Sequence, residues 1–419
     1  MLPFRDPSAT LSGMIKILET SQKISDSSKN RTEAAYQKVL TRQDLGFHQM
    51  PDRLDLWTAS QNLGRQLADS YDNMVVVGIG GSSLGPRALY EVLQNPKSKQ
   101  KLYFCDNVDG VEFSRLWDQL SDLKKTIWVL ISKSGSTIET LVSADFIHQI
   151  YQQKNQQASM VVVSETKSSP MMDWAKQQSV PTLEIPVDVG GRFSVFTAVG
   201  MLPMAFLGFP PEKFRQGALW ARGQKSLISE LSAHFLTSFD RGEWISFFWY
   251  YSSLFQNFGR WQQQLWAESL AKTLDREGKA AARVSTPMWA IGSSDQHSLL
   301  QQVMDGAKDK FVVFARFGEI ESQSQKLLKT QFPFQDFFVG HSMGELISAQ
   351  AQGTCKALIE QKVSTLTLHV QDLSPECLGA QMMLWQLVVA TVGESLDINA
   401  FDQPGVELGK RLARAILKS

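Results

Sequence analysis

The sequence lacks an excess of either charge, because 42 Lys and Arg residues balance 42 Asp and Glu residues. A surface built mainly for nucleic acid or for an anionic membrane is therefore not expected, although a local basic pocket for a small anion is not excluded. No window holds 18 uncharged apolar residues, so no membrane-spanning helix is predicted. The first residues carry charges and two prolines in place of the apolar core of a signal peptide. We therefore expect a cytoplasmic protein.

Cysteine is scarce, and the three residues Cys105, Cys355 and Cys377 form no Cys-x-x-Cys pair. An odd number without a pairing motif predicts reduced thiols in a reducing compartment. Each thiol is expected to pack as a small hydrophobic side chain rather than to act in catalysis. No group of histidines, cysteines and carboxylates has the spacing of metal ligands, so neither a metal nor another cofactor is predicted.

Hydrophobic residues make up 43% of the 419 residues, and a chain of this length favours two domains over one. Short apolar runs alternate with helical patterns, which predicts an α/β protein with parallel, doubly wound sheets. The predicted strands are Met74–Ile79, Lys101–Cys105, Ile127–Ile131, Met160–Val163, Thr182–Pro186, Trp244–Tyr251, Met288–Ile291, Phe311–Phe314 and Thr365–Val370. The predicted helices of the second half are Leu299–Ala307, Glu345–Gln361 and Leu378–Val392. Residues 1–50 are polar with a mostly helical pattern, and the GFPP sequence at Gly208–Pro211 indicates a domain boundary near residues 210–240.

A hydroxyl-rich turn follows the apolar run Ile127–Ile131, which is typical of a buried parallel strand. The turn and the helix after it carry Ser132, Lys133, Ser134, Ser136, Thr137 and Thr140. Ligands of open α/β sheets bind at the carboxyl ends of strands, where hydroxyls, backbone N–H groups and a positive helix end attract an anion. The alternative is a Ser or Thr N-cap on an ordinary helix. A cap needs one hydroxyl, whereas this turn has four and a lysine, so a phosphate site is favoured.

Two glycine clusters indicate places where the backbone approaches a ligand or turns tightly. The first, Gly78–Pro86, lies at the end of a predicted strand, as in many nucleotide sites. A dinucleotide site would also need an acidic residue at the end of the next strand, and Asp106 is a poor candidate. The second cluster, Gly190 and Gly191, precedes Arg192 and suits a turn that aims a guanidinium into a cleft. An ordinary surface arginine is the alternative, and this pattern alone favours it.

Two further residues are candidates for proton transfer. Glu268 lies on an aromatic-rich helix, where loss of solvent can raise the pKa of a carboxyl toward that of a useful base. The alternative is an exposed i,i+4 pair with Lys272, which the pattern alone favours. His297 is flanked by Asp295 and Gln296, a polar setting that could fix one tautomer of its ring. A purely structural histidine is the alternative there.

The order of several motifs resembles that of the phosphoglucose isomerase family over about residues 74–412. The motifs are GIGGSSLGPRAL, SKSGSTIET, GGRFSVFTAVGMLP, ESLAK, DQHSLLQ and FDQPGVELGK. GGRFS and FDQPGVELGK are highly specific to that family, whereas SKSGSTIET is shared more widely with sugar-isomerase (SIS) domains. The resemblance implies two SIS-type α/β/α three-layer domains with mostly parallel, doubly wound sheets and helical terminal segments.

The resemblance also implies a division of the chain and an assembly. The expected division is a helical arm over residues 1–50, a first SIS-type domain over 51–215, a second over 216–400 and an active-site segment with a helix over 401–419. A homodimer with active sites shared between subunits is expected, and a hexose 6-phosphate is the expected substrate. No nucleic acid, membrane or cofactor is implied.

Most of the substrate contacts implied by the resemblance lie in the hydroxyl-rich turn. The phosphate-binding positions are Ser132, Ser134, Ser136 or Thr137, and Thr140. Lys133 either supports the phosphate electrostatically or stands as a charge on the rim. Gly81 and Ser82 match residues that line the sugar pocket, and Gln403 matches a further substrate contact.

The implied chemistry is assigned to four residues. Glu268 matches the base that moves a proton between C2 and C1, and Arg192 matches the cation beside the developing enediolate. His297 and Lys410 match the groups that open the sugar ring, with His297 expected from the neighbouring subunit. A fixed guanidinium can stabilise the negative oxygen without a metal.

The expected activity is therefore the reversible, metal-free isomerisation of glucose 6-phosphate to fructose 6-phosphate through a cis-enediolate, in glycolysis and gluconeogenesis. Two departures from the family pattern bear on it. Ser134 and Ser136 stand where many members have threonine, and Ala271 stands where glycine is usual, which puts the local backbone geometry in question. The alternatives are a non-catalytic SIS-type sugar-phosphate sensor and an isomerase of a related hexose phosphate.

Overall fold

The computed structural model describes residues 13–120, 122–332 and 336–418. Two five-stranded sheets organise this part of the chain. Their strands are β1 (Ile15–Thr20), β2 (Asn73–Val77), β3 (Lys101–Cys105), β4 (Thr126–Ile131), β5 (Ser159–Ser164), β6 (Thr182–Glu184), β7 (Ile245–Tyr250), β8 (Thr286–Ile291), β9 (Lys310–Phe317) and β10 (Ser364–Val370). Nine of these match the predicted strands to within a few residues. Most of them are buried apolar runs, whereas β6 has no buried residue.

The helices complete the α/β alternation that the sequence predicts. They are α1 (Asp26–Thr41), α2 (Leu54–Ser70), α3 (Leu84–Leu93), α4 (Gly110–Gln119), α5 (Ile138–Gln153), α6 (Pro170–Gln177), α7 (Ala198–Phe206), α8 (Pro211–Arg222), α9 (Lys225–Asp240), α10 (Gln256–Leu270), α11 (Leu300–Asp305), α12 (Gly318–Glu321), α13 (Met343–Glu360), α14 (Pro375–Ser395) and α15 (Glu407–Lys418). The three helices predicted in the second half correspond to α11, α13 and α14. None of the helices in the described ranges combines the length and apolarity needed to cross a membrane.

The first sheet has the order β3-β2-β4-β5-β6, and all of its pairs are parallel. Alternate residues bury opposite faces, as the strand period of two requires. Val76 and Val129 pack in the cluster that contains residues of α2 and α7, whereas Val75 and Trp128 pack in the cluster that contains residues of α4, α5 and α6. Helices therefore cover both faces, and the predicted three-layer α/β arrangement is confirmed. The chain reverses its winding direction between β2 and β4, which places the loops after these strands at the ligand-binding switch point of such sheets.

The second sheet has the order β1-β10-β9-β7-β8. Its four later strands are parallel, and β1 pairs antiparallel with β10 at the edge. A helical pattern is expected over residues 1–50. Within this segment β1 is a strand, whereas α1 is a helix. Only Ile15, the first residue of β1, is buried, so the apolar signal of this edge strand is weak. Residues 1–12 of the predicted arm lie outside the described residues.

One apolar cluster joins the second sheet to helices and turns of the first half of the chain. It includes Leu89 and Val195 from the first half of the chain and Phe248 and Val313 from the second sheet. The helix α14 is buried on nearly all sides and packs against α1, α8, α9 and α10, as expected for a helix that is hydrophobic all round. This packing holds α10 beside the glycine loop at the carboxyl end of β2. The predicted division of the chain near residue 215 stays a prediction.

Candidate active site

The predicted phosphate turn lies between the end of β4 and the start of α5. Thr137 occupies the N-cap position of α5, but its side chain caps none of the first-turn N–H groups in the described structure. Its hydroxyl instead lies 2.7 Å from the hydroxyl of Ser132. The interpretation of the turn as an ordinary Ser or Thr cap is therefore wrong, because the Thr137 side chain does not make the capping hydrogen bond. The positive end of α5 is left available to an external anion.

The other hydroxyls surround the same helix start. Ser136 donates to the Ser134 hydroxyl at 3.0 Å, and both side chains are exposed. Thr140 is buried, and its Oγ1 has no hydrogen-bond partner among the described residues. A buried hydroxyl without a partner is costly unless a ligand or water satisfies it. An anion at the turn would supply such an acceptor.

Gly135 gives this turn its shape. Its φ of +63° lies in the left-handed region, and a Cβ there would stand 2.1 Å from the Ser169 hydroxyl. Both facts favour glycine over any residue with a side chain. The glycine therefore lets the serines on either side of it meet.

Lys133 points away from the hydroxyls of its own turn. Its Nζ donates to the Val187 carbonyl at 3.2 Å and lies 3.4 Å from the Glu165 carboxylate. These contacts connect the hydroxyl-rich turn to the neighbouring segments after β5 and β6. The choice between electrostatic support and a rim charge stays open.

The glycine loop after β2 touches three other parts of the site. A Cβ on Gly81 would lie 2.2 Å from the Gly191 carbonyl oxygen, and one on Gly78 would lie 2.7 Å from the Ile131 carbonyl oxygen. The backbone therefore packs directly against the Gly190–Phe196 turn and against the end of β4. Gly80 similarly approaches the side chain of Gln264 on α10. Ser82 is half-buried in this loop.

Arg192 lies at the centre of this packing, with only 3% of the residue exposed. The interpretation of Arg192 as a surface arginine is therefore wrong. Its acceptors are Ser269 Oγ at 2.7 Å, Gln403 Oε1 at 3.0 Å, the Ala400 carbonyl at 2.6 Å and the Asp402 carbonyl at 3.0 Å. Burial lowers the pKa of Arg192, and the carboxylates of Glu268 and Asp402 oppose that shift. An arginine starts so far above neutrality that it stays charged.

Glu268 faces this guanidinium from the last turn of α10. Its Oε2 lies 3.5 Å from Arg192 Nη1 and accepts a hydrogen bond from Gln264 Nε2 at 3.3 Å. The side chain keeps 30% of its surface exposed, so a substrate can reach the carboxylate. The alternative i,i+4 pair is wrong, because Lys272 Nζ donates to the Glu268 backbone carbonyl at 2.8 Å and not to the carboxylate.

Ala271 explains this departure from helical spacing. The helix ends at Leu270, and Ala271 has φ −74° and ψ 101°, which are extended values. Lys272 is therefore no longer on the helix. The same angles are ordinary for alanine, so the methyl group that replaces the usual glycine introduces no backbone strain.

Sequence reasoning missed Gln264 as part of the site. Its amide donates to Glu268, and its Oε1 is buried without a partner among the residues that the structure describes. The signal was its position four residues before Glu268, which places both side chains on one face of α10. Gln264 therefore stands between the glycine loop and the carboxylate.

His297 does not join this group within one chain. It is exposed on the turn after β8, and its ring makes no hydrogen bond to any described residue. Asp295 accepts from the Ile291 backbone N–H at 2.7 Å, and Gln296 donates to the Tyr251 hydroxyl at 2.8 Å. The expectation that these neighbours fix the tautomer of His297 is wrong, because both anchor the turn itself. Lys410 is exposed in the first half of α15, which follows Gln403.

The comparisons with known proteins bear directly on this arrangement. The family model described as phosphoglucose isomerase matches residues 48–419, which is most of the chain. The chain belongs to the phosphoglucose isomerase family. The resemblance stated from the motifs is thereby confirmed, as is the expectation of an isomerase at the level of the family. The family match extends further in both directions than the motifs do.

Individual relatives agree with the family. The glucose-6-phosphate isomerase of Campylobacter jejuni is 33% identical over 355 residues, which are 83% of this chain and 86% of that protein. The crystal structure of a hypothetical protein from Thermus thermophilus has a TM-score of 0.82 and 29% identity, and the match covers 94% of this chain and 97% of the other. A glucose-6-phosphate isomerase from Chlamydia trachomatis, with a TM-score of 0.76, 24% identity and coverage of 93% and 78%, shares the fold.

Proposed function

We propose that this chain interconverts glucose 6-phosphate and fructose 6-phosphate by moving one proton between C2 and C1. The observation that carries the proposal is the pair of Glu268 and Arg192, in which a reachable carboxylate lies 3.5 Å from a buried, fixed guanidinium. Family membership and the names of the relatives support the choice of substrate. The roles below are proposals on the same footing.

The phosphate is held at the start of α5. The hydroxyls of Ser132, Ser134, Ser136 and Thr137 surround a helix end without a side-chain cap in the described structure. The buried Thr140 hydroxyl supplies a further donor. An anion bound there gains charge-assisted hydrogen bonds and the favourable end of the helix dipole. The glycine loop, with Gly81 and Ser82, then lines the sugar.

Glu268 performs the proton transfer. Its carboxylate removes the proton from C2 of the open-chain aldose, the C–H electrons form the C1–C2 double bond, and the negative charge moves to O1. O1 then takes a proton and O2 loses one, while Glu268 returns its proton to C1, which gives the ketose. Arg192 stabilises the developing enediolate oxygen, as a preorganised positive group in a buried site does. Gln264 orients the carboxylate through its hydrogen bond.

Ring opening precedes this step and needs groups that exchange protons with the ring oxygen and the hydroxyl at C1. Histidine and lysine suit that task at neutral pH. His297 is exposed and makes no hydrogen bond to the described residues around Glu268, so we assign it to the site of a second subunit in a homodimer. Lys410 would reach the sugar from α15, a short way along the chain from Gln403.

The test is a coupled assay of purified protein with glucose 6-phosphate and with fructose 6-phosphate. We expect turnover in both directions that survives a chelator, because the proposed electrophile is Arg192. Folded protein that binds hexose phosphates without converting them would contradict the proposal and favour a sensor. Faster turnover of mannose 6-phosphate would redirect it to a related hexose phosphate.

A further inference from the structure

Lys272 makes an arrangement of contacts that the catalytic scheme does not use. Lys272 lies outside α10, directly after the extended residue Ala271. Its side chain is nevertheless only 6% exposed. Its Nζ lies 2.8 Å from the Glu268 backbone carbonyl, 2.6 Å from the Asp402 carbonyl and 3.2 Å from the Asp402 carboxylate. An ammonium has three donors, and these three acceptors account for all of them. Lys272 is therefore placed to hold protein segments together rather than to bind substrate.

The Asp402 carbonyl connects Lys272 to the catalytic guanidinium. This oxygen accepts from Lys272 Nζ at 2.6 Å and also from Arg192 Nη2 at 3.0 Å. A carbonyl oxygen has two lone pairs, so the two cations occupy both. A displacement of the Asp402 carbonyl would change the hydrogen bonding of Arg192 directly.

Arg192 depends on the same short segment for most of its contacts. Three of its acceptors lie between residues 400 and 403: the Ala400 carbonyl, the Asp402 carbonyl and the Gln403 amide oxygen. The fourth, the Ser269 hydroxyl, lies beside Glu268 on α10. The segment over residues 400–403 therefore has to stay against the end of α10 for the guanidinium to face the carboxylate.

We propose that Lys272 is a positioning residue that fastens residues 400–403 to the end of α10 and so fixes Arg192 and Gln403 at the reacting sugar. Lys272 also satisfies a last-turn carbonyl of α10, which helix ends otherwise leave unpaired. The inference rests on the proposed isomerase chemistry for its kinetic consequence, but its structural content stands apart from that chemistry. Burial lowers the pKa of Lys272, and its hydrogen bond with Asp402 opposes the shift.

The first test compares Lys272→Met with a matched control. Methionine keeps an unbranched stem and removes all three donors. Lys279→Met removes an ammonium from the same stretch of chain, but that side chain is 74% exposed and pairs only with Glu277 within the described ranges. We expect Lys272→Met to lower kcat by roughly 10²-fold, as a misplacement of about 1 Å does, and to leave KM within about threefold because the phosphate turn is untouched. A kcat within about twofold of the unaltered protein would overturn the proposal.

A double variant separates positioning from a merely structural role. If Lys272 acts through Arg192, the kcat losses of Lys272→Met and Arg192→Lys will be less than multiplicative when combined. Fully multiplicative losses would overturn the proposal.

The structural part is tested without any activity. Hydrogen exchange of the ligand-free protein should show faster exchange of residues 400–403 in Lys272→Met than in Lys279→Met, with the first two turns of α10 unchanged. Unchanged exchange of residues 400–403 would overturn the fastening role. Absence of isomerase activity in the unaltered protein would instead contradict the proposed function, and the exchange measurement would still decide the role of Lys272.

Discussion

The substitution Arg192→Lys keeps the positive charge at the site but replaces the planar guanidinium with a single ammonium. The guanidinium reaches acceptors on two elements, namely Ser269 on α10 and the segment over residues 400–403. A lysine ammonium has three donors around one nitrogen and lacks the planar fork that reaches in two directions. It can serve one of these groups and leaves the rest unpaired.

The magnitude follows from the acceptors that lose their partner. Ser269 is fully buried, and each buried polar group left without a hydrogen bond costs about 1–3 kcal/mol. The free energy of unfolding is therefore expected to fall by an amount of that order. The loss of a positioned electrostatic stabiliser lowers kcat on the order of 10²–10³-fold. Binding of the phosphate end depends on the turn after β4 and is expected to change little.

Three measurements check this prediction on one protein preparation. Steady-state assays give kcat and KM, denaturant titration gives the free energy of unfolding, and inorganic phosphate is used as an inhibitor to report on the phosphate turn. We expect a large loss of kcat with an inhibition constant within about threefold of that of the unaltered protein, since distant sites act independently. A kcat within about threefold of the unaltered value would refute the claim that the shape of Arg192, beyond its charge, stabilises the transition state.

Three further predictions concern the proposed phosphate turn and the buried His234. Thr140→Val should raise KM on the order of 10-fold or more, because a hydrogen bond to a charged group contributes about 1.5–3 kcal/mol. The same substitution should not destabilise the ligand-free protein, since the Thr140 hydroxyl has no partner there among the described residues. Gly135→Ala should raise KM and lower stability by about 1–2 kcal/mol, whereas Gly110→Ala, with open space around its Cβ, should do neither. Burial lowers the pKa of His234 to about 4 from 6.5, so the unfolded chain binds this proton first and the free energy of unfolding should fall as the pH drops from about 7 to 4.5.

Each of these has a contradicting outcome. An unchanged KM in Thr140→Val would remove that hydroxyl from the phosphate site. Equal behaviour of Gly135→Ala and Gly110→Ala would show that the left-handed turn is not required. His234→Gln can keep a hydrogen bond to Gln22, the partner of His234 Nδ1, while removing the titrating ring. An equally steep loss of stability on acidification in this variant would exclude His234 as a source of the pH dependence.

The strands and the hydroxyl-rich turn after β4 could be predicted from the sequence because their signals are local. Ile127–Ile131 is a continuous apolar run, and the hydroxyls follow it directly. The edge strand β1 was missed, since most of its side chains are exposed or half-buried and its pairing with β10 is set by tertiary structure.

The centre of the site could not be predicted from pattern alone because its contacts are non-local. The local pattern favours a surface position for Arg192. Its burial depends on partners that lie far along the chain, because Ser269 and Gln403 are 77 and 211 residues away. The spacing of Lys272 and Glu268 is that of an i,i+4 pair on a helix. In the structure Ala271 is extended, so Lys272 lies beyond the end of α10. The resemblance to the family named the residues of this centre, whereas their packing required the structure.

The central claim is that Glu268 carries the proton between C2 and C1. The most direct measurement follows the exchange of the C2 proton of glucose 6-phosphate with solvent deuterium by NMR, in the unaltered protein and in Glu268→Gln. A glutamine keeps the size of the side chain and can still accept the hydrogen bond of Gln264. We expect exchange to be abolished in Glu268→Gln while inorganic phosphate still competes for the site. Retained exchange at C2 would contradict the account.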